Sequence, residues 1–179
     1  MKRDHSHFLG PIGGLGGKAA NNLAKQTDLA IAVGTKLADF TTGSWANFEN
    51  PDFSLVSVNV SRFDASKHLA QSVIGDAKVS LQELSNALGD WKAPDEWHKK
   101  SREELKNWND YVDKESGPTN QELPSYAHAV GAIYRNSDPT DIAVTAAGGL
   151  VGEVVQIWRP KELNTHETEW GFSLSLIHI

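Results

Sequence analysis

The first half of the chain alternates short apolar runs with segments of helical periodicity. Residues 28–33 (DLAIAV) are continuously apolar after the first position, which is typical of a parallel strand covered on both faces. Residues 53–60 (FSLVSVNV) are rich in strand formers, and a third strand is predicted at 72–74. Helices are predicted at 18–26 and 77–88, the second with Asp76 as its N-cap.

The pattern changes after residue 90. Residues 91–122 are charged, carry Trp and are interrupted by Pro94 and Pro118. This pattern predicts a helical linker at about 95–114, followed by an irregular segment that leads to the next unit. A new unit then follows with a helix at 126–134, a strand at 141–145 and a helix at 151–158. The chain is therefore predicted to be α/β, divided into 1–90, 91–122 and 123–179.

Composition narrows the classes of function. The net charge of −6 disfavours a general nucleic-acid binder, and no apolar run is long enough to span a bilayer. The sequence has no Cys, so disulfides, thiolate catalysis and Cys-based zinc sites are excluded for it. We expect a protein without membrane or nucleic-acid partners, in keeping with a reducing cytoplasm.

Residues 33–45 (VGTKLADFTTGSW) follow directly from the first strand. Ligands of parallel sheets bind beyond the carboxyl ends of the strands, where Thr41, Thr42 and Ser44 would offer hydrogen-bond donors. The same residues are also typical of local turn caps, with Trp45 sealing the edge of the sheet. The residues alone leave both interpretations open.

A second candidate turn, Thr145-Ala-Ala-Gly-Gly149, lies between a predicted strand and a helix. Small residues there expose backbone N–H groups at the positive end of the helix, which suits a phosphate, although a tight turn also favours Gly. The earlier Gly14-x-Gly16-x-x-Ala19 resembles a dinucleotide fingerprint, but no strand is predicted before it, so a turn and helix start is favoured.

Other polar groups indicate surface positions. The segment from His166 to Glu169 matches no standard zinc spacing and is expected to be solvated. The run REELKNWNDYVDKE is expected to be the exposed face of the linker helix.

Four segments, DLAIAVGTKLADFTTGSW, NVSRFDASKH, TAAGGLVGEV and ETEWGF, resemble successive parts of one family. It is the thiamine-diphosphate-dependent 3D-(3,5/4)-trihydroxycyclohexane-1,2-dione hydrolase of myo-inositol catabolism. The resemblance runs from about residue 16 to residue 172. Related lyases and synthases acting on 2-oxo acids, such as acetolactate synthase, share the domain arrangement but not the sequence motif DFTTGSW. A non-catalytic nucleotide-binding module remains a further alternative.

The resemblance implies a fold and a set of cofactor contacts. Residues 1–90 would be a portion of a Rossmann-like central domain, and 123–179 the start of a thiamine-diphosphate-binding α/β domain. Ala147, Gly148 and Gly149 would approach the diphosphate, and Gly171 and Phe172 the thiazolium side. The complete enzyme would use thiamine diphosphate and Mg²⁺, open a small cyclic dione to 5-deoxyglucuronate, and form a homo-oligomer.

Two parts of the family pattern do not occur within these 179 residues. The activating Glu of the family belongs to a pyrimidine-binding domain before this segment, and the Gly-Asp-Gly…Asn metal motif follows it. We therefore expect no catalytic residue or metal ligand in this chain, and no activity from it alone. The final LSLIHI (174–179) departs from the family and matches a translated end of a library-preparation transposon, so our hypothesis is that it is an artefact.

Overall fold

The computed structural model describes residues 5–146 and 148–168, which form two compact units. One unit contains residues 12–14 and 21–101, and the other contains residues 5–11, 15–20 and the described part of 102–168. The division passes through two helices, α1 (Lys18–Ala24) and α5 (Asp95–Glu115). The predicted boundaries at 90/91 and 122/123 stay predictions.

The unit around residues 21–101 is built on a three-stranded parallel sheet. Its strands are β1 (Leu29–Val33), β2 (Ser54–Asn59) and β3 (Gln71–Ile74), in the spatial order β1-β2-β3. Ile31 pairs with Val56, which pairs with Gln71. The helical segments between and after the strands are α2 (Asp39–Thr42), α3 (Arg62–Ala65), a single 3₁₀ turn (Lys67–Leu69) and α4 (Ala77–Leu88).

The main buried cluster of this unit lies on one face of the sheet. Ala32, Leu37 and Leu55 are buried, and Ala30, Trp45, Phe53 and Ala70 pack against them. Successive strand residues point to opposite faces, so Leu29 and Ile31 project away from this cluster. They are 49% and 43% exposed, so the expectation that β1 is covered on both faces is wrong for the part of the chain described here.

The predicted cap of α4 is confirmed. Asp76 has extended backbone angles, and its carboxylate accepts a hydrogen bond from the backbone N–H of Val79 at 3.0 Å. An N-cap of this kind satisfies one of the helix's otherwise unpaired N–H groups. The helix therefore begins where the sequence places it.

The other unit pairs two strands and packs three helical segments beside them. After α5 come α6 (Tyr126–Asn136), β4 (Ala143–Thr145), α7 (Gly149–Ile157) and β5 (His166–Thr168). Strands β4 and β5 are parallel. The buried cluster joins α5, α6 and the end of α7 through Val112, Val130, Val154, Ile157 and Trp158.

The predicted α/β class is confirmed, with parallel strands in both units and a helix across the predicted linker. Four elements, α2, α3, the 3₁₀ turn and β5, were not predicted. The first two have four residues each and the last two have three each, too few for a periodic pattern to appear. Strand β5 covers residues 166–168 of the segment expected to be solvated, in which Glu167 is exposed and His166 and Thr168 are partly exposed. That expectation stays a prediction.

Helix α6 begins with a reciprocal cap and approaches the end of α5 closely. The hydroxyl of Ser125 accepts from the backbone N–H of His128 at 3.3 Å, and the ring Nδ1 of His128 accepts from the backbone N–H of Ser125 at 3.2 Å. One turn later Gly131 is buried, and a Cβ there would overlap the carbonyl oxygen of Ser116 and lie 2.8 Å from its Cβ. Only glycine leaves room for this approach.

We expect Gly131→Ala to destabilise the protein although it places a better helix former in α6. The helical preference of Ala over Gly contributes about 1 kcal/mol, whereas overpacking against fixed backbone costs about 1–3 kcal/mol. The net loss should be up to about 2 kcal/mol in the free energy of unfolding, measured by urea denaturation.

Gly152→Ala in α7 is the matched control. Its Cβ would lie 3.4 Å from the flexible Leu15 side chain, so the helical preference should prevail. If both substitutions changed stability equally, close packing at Gly131 would not be the reason for glycine there.

Candidate functional site

The predicted turn after β4 lies between a strand and a helix. Strand β4 ends at Thr145, and α7 begins four residues later at Gly149. Gly148 has φ +130° and ψ −179°, a conformation that residues with a Cβ rarely adopt. Among residues 5–146 and 148–168, nothing lies within 4 Å of an ideal Cβ on Gly148, so these residues leave space at this point.

The start of α7 is suited to an anion. No side chain of the described residues caps it, and its first turn contains no acidic residue. The first N–H groups of a helix have no partner within the helix, and its dipole places positive charge there. The donors and the space beside Gly148 thus fit a diphosphate group. The groups available are backbone N–H groups, which do not depend on ionisation.

Hydroxyl groups join the ends of β4 and β5 beside this turn. The Oγ1 atoms of Thr145 and Thr168 are 3.0 Å apart, and Oγ1 of Thr168 is 3.3 Å from Nε2 of His166. The parallel register pairs Thr145 with Thr168, so both lie at the carboxyl edge where ligands of parallel sheets bind. The sequence analysis did not identify Thr168, because β5 was not predicted.

Of the five residues predicted to contact the cofactor, Gly148 and Gly149 lie at this turn. Ala147, Gly171 and Phe172 lie outside the described residues. The structure therefore brings together two of the five predicted residues, and their role in binding stays a prediction.

The loop after β1 closes on itself. Thr42 is buried, and its hydroxyl lies 3.1 Å from the backbone N–H of Trp45, from which it accepts a hydrogen bond. The same oxygen is 3.4 Å from the carbonyl oxygens of Ala38 and Asp39. Gly43 ends α2 in the left-handed conformation, with φ +61°. One predicted donor is thus used within the loop, which supports the turn-cap interpretation.

Trp45 holds the loop against the sheet in a strained conformation. Its φ is +71°, and a positive φ is unusual for a bulky residue. The ring stacks on His68, with ring centroids 4.1 Å apart, and His68 also has a positive φ of +58°. Nε2 of His68 is 3.3 Å from the carbonyl oxygen of Leu37, where the loop begins. Packing of this kind over-determines the backbone and maintains the strain.

The first glycines belong to a second packed turn. The amide of Asn21 accepts from the backbone N–H of Gly13 at 2.8 Å and donates to its carbonyl oxygen at 3.0 Å. Nδ2 of Asn47 donates to the same Asn21 oxygen at 3.1 Å. Residues 5–17 contain no strand in the structure, so the favoured turn interpretation agrees with the geometry.

The segment NVSRFDASKH forms α3 and its caps. The hydroxyl of Ser61 accepts from the backbone N–H of Asp64 at 3.3 Å, and Nζ of Lys67 lies 2.6 Å from Oδ1 of Asp64. The hydrogen bond from Lys67 lowers the pKa of Asp64 below its ordinary value. This carboxylate is therefore a local partner of Lys67 rather than a free acid or base.

Neither a metal cluster nor a membrane span is found within residues 5–146 and 148–168. In these ranges no three His, Asp or Glu side chains are grouped to hold an ion. No helix in these ranges combines the length and apolarity needed to cross a bilayer.

Comparison with known proteins indicates the class. Residues 1–84 match the family model of the thiamine pyrophosphate enzyme central domain. The parallel sheet in residues 21–101 is consistent with such a domain of a thiamine pyrophosphate (thiamine diphosphate) enzyme.

Within that class, the chain is similar to one particular group. It is 32% identical to the 3D-(3,5/4)-trihydroxycyclohexane-1,2-dione hydrolase of Geobacillus thermodenitrificans over 97% of this chain and 30% of that protein. It is 34% identical to the enzyme of the same name from Clostridium tetani, over 92% of this chain and 29% of the relative. The chain thus spans about a third of the length of these relatives.

We expect Trp45→Ala to destabilise the unit around residues 21–101. Removing a large aromatic side chain from a packed cluster costs about 3–5 kcal/mol, and the strained backbone would lose the stacking that holds it. The measurement is urea denaturation followed by far-ultraviolet circular dichroism.

Trp91→Ala is the matched control, because Trp91 is 65% exposed and lies outside the cluster. It should change the free energy of unfolding by no more than about 0.5 kcal/mol. Equal effects of the two substitutions would contradict the packing role of Trp45.

Proposed function

We propose that this chain is part of a thiamine-diphosphate-dependent hydrolase that cleaves a C–C bond in a small cyclic 1,2-dione. The observation that carries the proposal is the similarity over 97% of the chain to hydrolases named for 3D-(3,5/4)-trihydroxycyclohexane-1,2-dione. The complete protein would act in the cytoplasm as a homo-oligomer, open the ring to 5-deoxyglucuronate and use Mg²⁺ to hold the diphosphate.

The turn at Gly148 is proposed as the part of this chain that binds the diphosphate. When bound, the cofactor supplies the reactive carbon needed to cleave a C–C bond beside a carbonyl, and the protein supplies position and electrostatics. The N–H groups at the start of α7 would donate to diphosphate oxygens. Gly148 keeps the space beside them open. The hydroxyl pair of Thr145 and Thr168 holds the strand ends from which this turn departs.

The side chains of the loop after β1 contact residues of their own unit, which favours this function over a nucleotide-binding module. Thr42 and Trp45 are engaged in the loop's own packing, whereas no described residue lies within 4 Å of an ideal Cβ on Gly148. The turn and the similarity over 97% of this chain therefore support the same class of enzyme.

A chimaeric enzyme tests the proposal directly. This chain, inserted in place of the aligned segment of the Geobacillus thermodenitrificans hydrolase, should yield a protein that hydrolyses the dione with added thiamine diphosphate and Mg²⁺. Gly148→Val in the chimaera should raise the cofactor concentration for half-maximal activity at least tenfold, since a Cβ would enter the space beside the helix donors.

Gly89→Val is the matched control for backbone strain. Gly89 has φ +53° and nothing within 4 Å of its ideal Cβ, but it ends α4 in the other unit. It should leave the cofactor requirement unchanged. A chimaera that folds and binds the cofactor but does not hydrolyse the dione would contradict the substrate assignment. Equal effects of Gly148→Val and Gly89→Val on the cofactor requirement would contradict the role of Gly148.

The 179-residue chain by itself should not hydrolyse the dione. The family's activating Glu and its Gly-Asp-Gly…Asn metal motif do not occur in this sequence, so proton transfer to the cofactor and metal binding lack their side chains. The measurement is product formation by the purified chain with thiamine diphosphate and Mg²⁺, with the Geobacillus enzyme as positive control. Turnover above the protein-free rate would contradict this expectation.

A further inference from the structure

A cavity of about 370 Å³ lies in the unit that contains α6 and α7, away from the turn at Gly148. Its volume is within the range of small-molecule sites. It is formed by the N-terminal segment 8–11 with α5, α6 and the residues around the end of α7. The apolar part of its wall includes Phe8, Leu9, Leu105, Trp108, Tyr134 and Val155.

Two cationic side chains line the cavity. Arg159 and Lys161 both line it, and no acidic side chain is among the described residues of the lining. This is notable in a chain with a net charge of −6. An apolar wall together with two cationic side chains suits a ligand that has an apolar part and a negatively charged group.

Arg159 retains a donor without a partner. Its Nη1 lies 2.8 Å from Oδ1 of Asp113, and its Nη2 donates to the carbonyl oxygen of Asn109 at 3.4 Å. Its Nε is buried and has no hydrogen-bond partner. The guanidinium carries two N–H groups on each Nη nitrogen, and one of each is engaged by Asp113 or Asn109. The side chain is 25% exposed, so the remaining Nη donors are the ones an acceptor in the cavity would meet.

The aromatic wall is held in place by contacts of its own. The hydroxyl of Tyr134 donates to the carbonyl oxygen of Arg159 at 3.2 Å, and its ring meets Trp158 edge-on, with centroids 5.4 Å apart. Nζ of Lys161 lies 5.5 Å from the centroid of the Tyr134 ring. The aromatic surface and the two cations are thus positioned before any ligand binds.

We propose that this cavity binds a small aromatic carboxylate, with its ring against Trp108 and Tyr134 and its carboxylate at Arg159 and Lys161. The site is separate from the proposed diphosphate turn. The turn lies at the start of α7, whereas Val155 and Gln156 reach the cavity from its last residues. Nine residues of α-helix span about 13 Å.

The test is calorimetric titration of the 179-residue chain with 2-naphthoate and, separately, with its neutral analogue 2-naphthamide. The carboxylate should bind saturably, and the amide should bind at least tenfold more weakly. Lys161→Gln should weaken binding of 2-naphthoate about tenfold, the effect expected for a charge-assisted hydrogen bond of about 1.4 kcal/mol. This substitution is on an exposed side chain and leaves the Arg159–Asp113 pair intact.

Lys114→Gln is the matched control, because Lys114 is exposed, lies near the end of α5 and does not line the cavity. It should bind 2-naphthoate as the unchanged chain does. Equal binding of acid and amide, no saturable binding, or equal losses in the two lysine variants would each overturn the proposal. Displacement of 2-naphthoate by thiamine diphosphate would also overturn it, since the two sites would then be one.

Discussion

The parallel pairing of β4 with β5 is the constraint on which the candidate cofactor site depends. Parallel strands need a crossover connection, and here α7 supplies it. The pairing brings the hydroxyls of Thr145 and Thr168 to one edge and starts the helix from that edge. Gly148 adopts a backbone conformation that residues with a Cβ rarely adopt. It also has no Cβ to fill the space beside the first N–H groups of α7.

Two turns that follow parallel strands differ in how they are packed. Both contain Gly in a left-handed or related conformation, at Gly43 and at Gly148. The first is filled by its own chain, since Thr42 accepts a hydrogen bond from within the loop and Trp45 stacks on His68. The second is open and leads into an uncapped helix. The difference lies in where the neighbouring side chains go rather than in the presence of glycine.

The sequence predicted those elements whose signals are local. Asp76 marks the start of α4 because a capping carboxylate acts within one turn, and the apolar runs mark the strands. Strand β5 was missed, since a three-residue strand has no period of its own and forms only by pairing with β4. The contact between Trp45 and His68 was equally hidden, because it joins residues that are distant in sequence and strained in backbone.

The sequence by itself determined the α/β class, the parallel strands, the linker helix and the resemblance to the thiamine diphosphate enzymes. These follow from local periodicity, from capping chemistry and from sequence motifs such as DFTTGSW. Only the tertiary structure decided that the loop after β1 is packed, that Thr168 adjoins Thr145, and that Arg159 and Lys161 share a cavity with an aromatic wall. Each of these depends on long-range contacts, whose partners are selected by the packing of the whole unit and not by neighbours in the chain.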